Sequence, residues 1–122
     1  MLKRLRVKNF ALIENLDLTF SEGFSVLTGE TGAGKSIIIG ALNLLFGERA
    51  SSEMFREGAD ELFVEGNFES GDLEDDLIVR REMQRGGRSY VFINDKQATL
   101  QTLRETVSGL AELMGQHQHQ TL

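Results

Sequence analysis

Residues 29–36 read Gly29-Glu30-Thr31-Gly32-Ala33-Gly34-Lys35-Ser36, and they fill the pattern G-x-x-x-x-G-K-[S/T] at every required position. The spacing has a physical reason. Glycines let the backbone curl until successive N–H groups point inward at phosphate oxygens. A helix opening near Lys35 adds the positive end of its dipole. Lys35 would then reach the β- and γ-phosphates of a nucleoside triphosphate, and the Ser36 hydroxyl would ligate Mg²⁺. ATP with Mg²⁺ is the cofactor pair this stretch predicts.

The flanks suit that chemistry. Phe24 to Thr28 reads as a strand directly before the loop, and the apolar stretch Ile37 to Phe46 reads as a helix directly after it. Strand, loop and helix in that order are what a phosphate cradle requires. Gly47 sits where a helix C′ residue belongs. Towards the N-terminus, Leu5 and Val7 alternate with Arg4, Arg6 and Lys8, and Leu16, Leu18 and Phe20 alternate with Asn15, Asp17 and Thr19. Each run is a half-buried strand by its period of two.

Beyond the helix, Leu62 to Glu69, Leu77 to Met83 and Ser89 to Asn94 are strand candidates. Arg85-Gly86-Gly87-Arg88 joins the last two as a hairpin, and Asn94-Asp95-Lys96 predicts a second tight turn. Leu100, Leu103, Val107 and Leu110 follow helical spacing, with Thr99 as N-cap. Leu110 to Met114 is expected to form one more short strand before the polar run Gly115 to Gln120. The whole predicts an α/β core with an antiparallel β layer alongside.

Composition narrows the class. A chain of 122 residues holds one domain with a real core. It has no cysteine, which excludes disulfides and thiolate metal sites. No apolar run is long enough for a membrane span, and Met1 to Phe10 lacks the features of a signal peptide. Cytoplasmic placement is the expectation. The net charge of −6 argues against a chain that coats nucleic acid with a uniform positive field. The charge is uneven: eleven acids and two arginines lie between Glu48 and Asp76, whereas Lys3, Arg4, Arg6 and Lys8 crowd one end.

Leu5-Arg6-Val7-Lys8-Asn9-Phe10-Ala11-Leu12-Ile13 resembles the opening strand of the SMC-like branch of the ABC ATPases. The run Leu27 to Ile38, Gly47-Glu48-Arg49-Ala50 after the helix, and Gly115-Gln116-His117-Gln118-His119-Gln120 at the end resemble the RecN family of bacterial DNA-repair ATPases within that branch. The resemblance spans the chain in the right order. It implies the N-terminal lobe of an ABC/SMC-type P-loop head, with a mixed sheet and an antiparallel β subdomain over residues 1–122. It also implies a long coiled coil and a C-terminal lobe that this stretch lacks.

In such heads ATP is sandwiched between two copies, one giving the P-loop and the other a signature of the Leu-Ser-Gly-Gly kind. The partners implied are a second head, the chain's own C-terminal lobe, and DNA held without sequence preference, in a homodimer associated with the nucleoid. Neither the signature nor a Walker B strand ending in Asp-Glu occurs here. Ile93-Asn94-Asp95-Lys96 comes nearest and lacks the second carboxylate. This stretch alone is therefore expected to bind ATP without hydrolysing it.

The same resemblance assigns roles residue by residue. Gln116 matches the Q-loop position, which helps hold Mg²⁺ and places the attacking water; Gln118 and Gln120 are rivals for it. Lys35 and Gln116 are thus the expected catalytic pair, and Ser36 and Gln116 the metal ligands. Arg4 and Arg6 are candidates to pack over adenine, though alternating cations on a strand usually form its solvent face. Arg49 and Arg56 fall where related heads carry an arginine loop. His117 and His119 lack a third ligand for a metal. Arg80, Arg81, Arg85 and Arg88 read either as a solvated hairpin or as a phosphate-contacting surface. Two other classes compete with the ATPase reading. A small P-loop kinase should show a lid with catalytic arginines, and a nucleotide-dependent binding module would bind without turnover.

Overall fold

The computed structural model describes residues 2–20, 32–69 and 75–113. Among them a single six-stranded sheet runs in the order β2-β1-β3-β4-β5-β6. The strands are β1 (Leu2–Phe10), β2 (Ile13–Thr19), β3 (Glu61–Phe68), β4 (Leu77–Gln84), β5 (Ser89–Ile93) and β6 (Lys96–Ala98). Every pairing is antiparallel, as the hairpin-rich sequence predicts for the β layer. The expected strand Phe24 to Thr28 lies outside the described residues.

Period-two alternation decides the two faces. Leu5, Val7, Leu62, Val64, Val79, Met83 and Val91 point inward and are buried. Helix α1 (Gly32–Leu45) lies on that face and buries Ile38, Ala41, Leu42, Leu44 and Leu45 in the same core. Gly66 on β3 permits the close approach, since a Cβ there would stand 2.6 Å from Leu45 Cδ1. Phe46 and Phe68 meet at 6.3 Å between ring centroids just past the helix end.

The outer face is a lattice of opposite charges. Arg4 grips Asp17 with both ends of its guanidinium at 2.9 and 2.7 Å. Arg6 reaches Glu65 at 3.1 Å, and Arg80 lies among Glu82, Asp95 and Glu65. Arg6 and Lys8 also cover the Phe63 ring, and Arg80 covers Phe92. Alternating cations on β1 therefore balance carboxylates from β2 and β3 and shield aromatic rings.

Turn chemistry matches the sequence reading at two places. Asn94 and Asp95 adopt φ of 51° and 69° between the paired residues Ile93 and Lys96, which is the two-residue hairpin turn. The near-Walker B segment is thereby a β-turn, with its carboxylate beside Arg80. Helix α2 (Leu100–Leu113) starts where predicted, and the Thr102 N–H donates to Thr99 Oγ1 at 3.0 Å. One expectation fails. Residues 110–113, read as the start of a strand, continue α2. The apolar positions from Leu100 keep a period of three to four through Leu113, and that period prevails over the short apolar run.

Candidate functional site

Helix α1 begins inside the motif, at Gly32. The first four N–H groups of a helix have no partner within it, so those of Gly32, Ala33, Gly34 and Lys35 bond, if at all, outside the helix. Lys35 and Ser36 are exposed, and the first turn carries no acidic side chain to repel an anion. Backbone donors, a cationic side chain and a hydroxyl therefore share one helix end. That donor set suits a phosphate with its magnesium ion. Gly29, Glu30 and Thr31 lie outside the described residues, and so do Gln116, His117, Gln118, His119 and Gln120.

The other end of α1 is closed. Gly47 takes φ +102° as the predicted C′ residue. Its N–H donates to Leu44 O and the Glu48 N–H donates to Asn43 O, both at 3.1 Å; this pair defines a Schellman motif. Two arginines then reach the remaining carbonyl surface. Arg81 on β4 is 2% exposed. It donates from Nη1 to Leu44 O at 2.9 Å and also to Glu48 O. Arg104 on α2 donates from Nε to Gly47 O at 2.9 Å. Positive charge at the carbonyl end of a helix meets the negative end of its dipole. Burial, and after it the neighbouring Arg104, pushes the Arg81 guanidinium below its ordinary value.

The four hairpin arginines thus have separate fates. Arg81 is inside the core, and Arg80 is tied into the outer ion-pair lattice. Arg85 lies over Phe55 and donates to Ala59 O at 2.9 Å and Arg56 O at 3.1 Å, pinning the segment that precedes β3. Arg88 leans on Tyr90 Oη at 3.4 Å. They do not form one phosphate-contacting surface. Arg4 and Arg6 sit on the sheet face opposite α1, each paired with a carboxylate. Arg49 is exposed after α1, and Arg56 is half-buried with its N–H donated to Asn9 O.

Sequence reading missed Arg81, although a signal was available. In β4 the inward phase is Leu77, Val79, Arg81 and Met83, and a cation at an apolar phase demands a special partner.

A family model described as AAA domain matches residues 4–118. The DNA repair protein RecN of Bacillus subtilis is 45% identical over the whole of this chain, which spans 24% of that protein. A solved structure from work on ATP-driven dimerization and DNA-stimulated activation of SMC ATPases superimposes with a TM-score of 0.75 at 26% identity, covering 88% of this chain and 77% of that one. The SMC head domain from Thermotoga maritima gives a TM-score of 0.67 at 28% identity, with 86% and 41% covered. The chain spans about a quarter of the length of the curated relatives it matches. It belongs to the AAA-domain family, with the fold of an SMC head and with RecN DNA-repair proteins as its relatives.

Proposed function

We propose that this chain is the nucleotide-binding part of an SMC-like ATPase head acting in recombinational repair of DNA double-strand breaks. The observation that carries the reading is the placement of the helix start. α1 opens within the Gly29-to-Ser36 motif, so the N–H groups of its first turn, Lys35 and Ser36 gather at one end. The RecN relatives supply the repair context and the SMC heads supply the fold.

In this reading the phosphates are held by the backbone of residues 29–36 and by Lys35. Ser36, with Gln116, holds Mg²⁺, whose charge would neutralise the phosphate oxygens. Gln116 orients water for hydrolysis; α2 carries the chain to within three residues of it. Two ATP-loaded heads engage, each joined to its own C-terminal lobe, and their opening and closing drives sequence-independent DNA tethering by a homodimer in the cytoplasm. Residues 1–122 bind ATP, and turnover requires the Walker B and signature segments that they lack. The binding-module reading therefore describes this stretch by itself.

Calorimetric titration with MgATP tests the reading. Lys35→Ala should weaken binding about 100-fold, the loss expected when a charge-assisted contact worth roughly 3 kcal/mol is removed. Equal affinity in the two proteins would overturn it.

A further inference from the structure

We infer that Arg81 and Arg104 are positioning residues for the proposed nucleotide site. From β4 and α2 they hold the C-terminal end of α1, and they thereby set where its N-terminal end presents Lys35 and Ser36. The inference rests on the nucleotide-binding reading above and adds a device that adjusts the site from its far end.

The buried face of α1 consists of aliphatic side chains, and apolar contact is non-directional. It holds a helix on a sheet but defines its axial and rotational setting weakly. A guanidinium bonded to named carbonyls is directional. Here two guanidiniums meet three carbonyls (Leu44, Gly47 and Glu48) at one helix end. A helix rises 1.5 Å per residue, so Lys35 lies only about 13 Å along the axis from Leu44. Over so short a rod, a shift at one end is a shift at the other.

The cost of Arg81 points the same way. None of the ion pairs among the described residues includes it, and its Nε has no hydrogen-bond partner. An apolar side chain of similar volume would fill the space without burying a charge. A cation kept there answers a need for geometry. Arg104 ties in the second helix. Its side chain lies flat on Gly47, where an added Cβ would stand 2.4 Å from Arg104 Cγ. α2 continues from this contact through Leu113 towards Gln116. The helix leading to the Q-loop position and the helix leading from the phosphate loop are thus fastened at Gly47.

The test uses the natural full-length protein, with MgATP affinity measured by calorimetry below the unfolding range of every variant. Arg104→Ala should weaken binding about fivefold, at the lower end of site-to-site couplings. Arg104→Lys should recover most of the loss. Arg85→Ala strips similar backbone carbonyls away from α1, so it should lower Tm and leave the affinity unchanged. By reciprocity, MgATP should slow hydrogen exchange at the Gly47 and Glu48 amides. Wild-type affinity in Arg104→Ala, with exchange at those amides indifferent to nucleotide, would overturn the inference. The nucleotide-binding reading would survive that result if Lys35→Ala still lost binding. A wild-type protein that binds no MgATP would remove both.

Discussion

The two ends of α1 are built on opposite plans. At Gly32 the helix opens with N–H groups that have no partner within it, an exposed lysine and an exposed serine, and no acidic side chain in its first turn. At Gly47 it closes with a Schellman pair, a buried arginine from β4 and a second arginine from α2. Both ends carry the same kind of unfinished backbone. Side chains and backbone among the described residues finish one; the other opens inside the Gly29-to-Ser36 motif, where the proposed nucleotide would bind. The contrast teaches that function is sought where a helix end meets such a motif, once the equivalent group elsewhere is seen to be satisfied.

Breaking the closed end should cost the most stability. Arg81→Ala removes the guanidinium donor from the Glu48 carbonyl, leaves the Leu44 carbonyl only the Gly47 N–H, and opens a cavity in the core. Together these should lower unfolding free energy by about 3 kcal/mol. Urea denaturation monitored by circular dichroism checks it, and an unchanged midpoint would show that neither the arginine's hydrogen bonds nor its packing stabilises the fold.

A smaller effect belongs to the N-terminal end of α2, which is capped by the chain itself. Thr99 Oγ1 accepts from the Thr102 N–H and bonds the Thr102 hydroxyl at 3.0 Å. Thr99→Ala should therefore lower stability by about 1 kcal/mol, read as a reduced Tm with MgATP affinity retained. Loss of affinity without loss of Tm would mean that this cap acts on the nucleotide site.

These features were legible in the sequence to different degrees, for physical reasons. Thr99, Gly47 and the Asn94-Asp95 turn depend on partners within five residues, so local chemistry announced them. The β3–β4–β5 meander was announced by alternation and by the glycines at 86 and 87. The destination of Arg81 was not, because Leu44 and Glu48 are 37 and 33 residues away. Its inward phase in β4 was visible, but the four neighbouring arginines read as one basic cluster. The strand expected at Leu110 failed because a five-residue apolar window cannot distinguish a strand from the last turn of a helix. At the proposed phosphate site the motif specified the residue types, and the structure added the helix start at Gly32 that places Lys35 and Ser36 in the first turns.

The smallest effect is electrostatic and lies on the outer face. The Arg4 hydrogen bond, aided by its charge, holds the Asp17 carboxyl below the usual carboxylate range. A carboxylate with a lowered folded pKa contributes stability above its unfolded pKa and loses it as pH falls through the folded value. Asp17→Asn should flatten the acid limb of the Tm–pH curve slightly. The difference should shrink in high salt, because the pair is exposed. A salt-independent difference would place Asp17 in a different role.

The most direct test of the central claim is an amide NMR titration of the wild-type chain and of Lys35→Ala with MgATP. The account predicts that the wild-type shifts concentrate at residues 29–36 and largely vanish in the variant. Shifts that centre elsewhere, or that persist undiminished without Lys35, would contradict it.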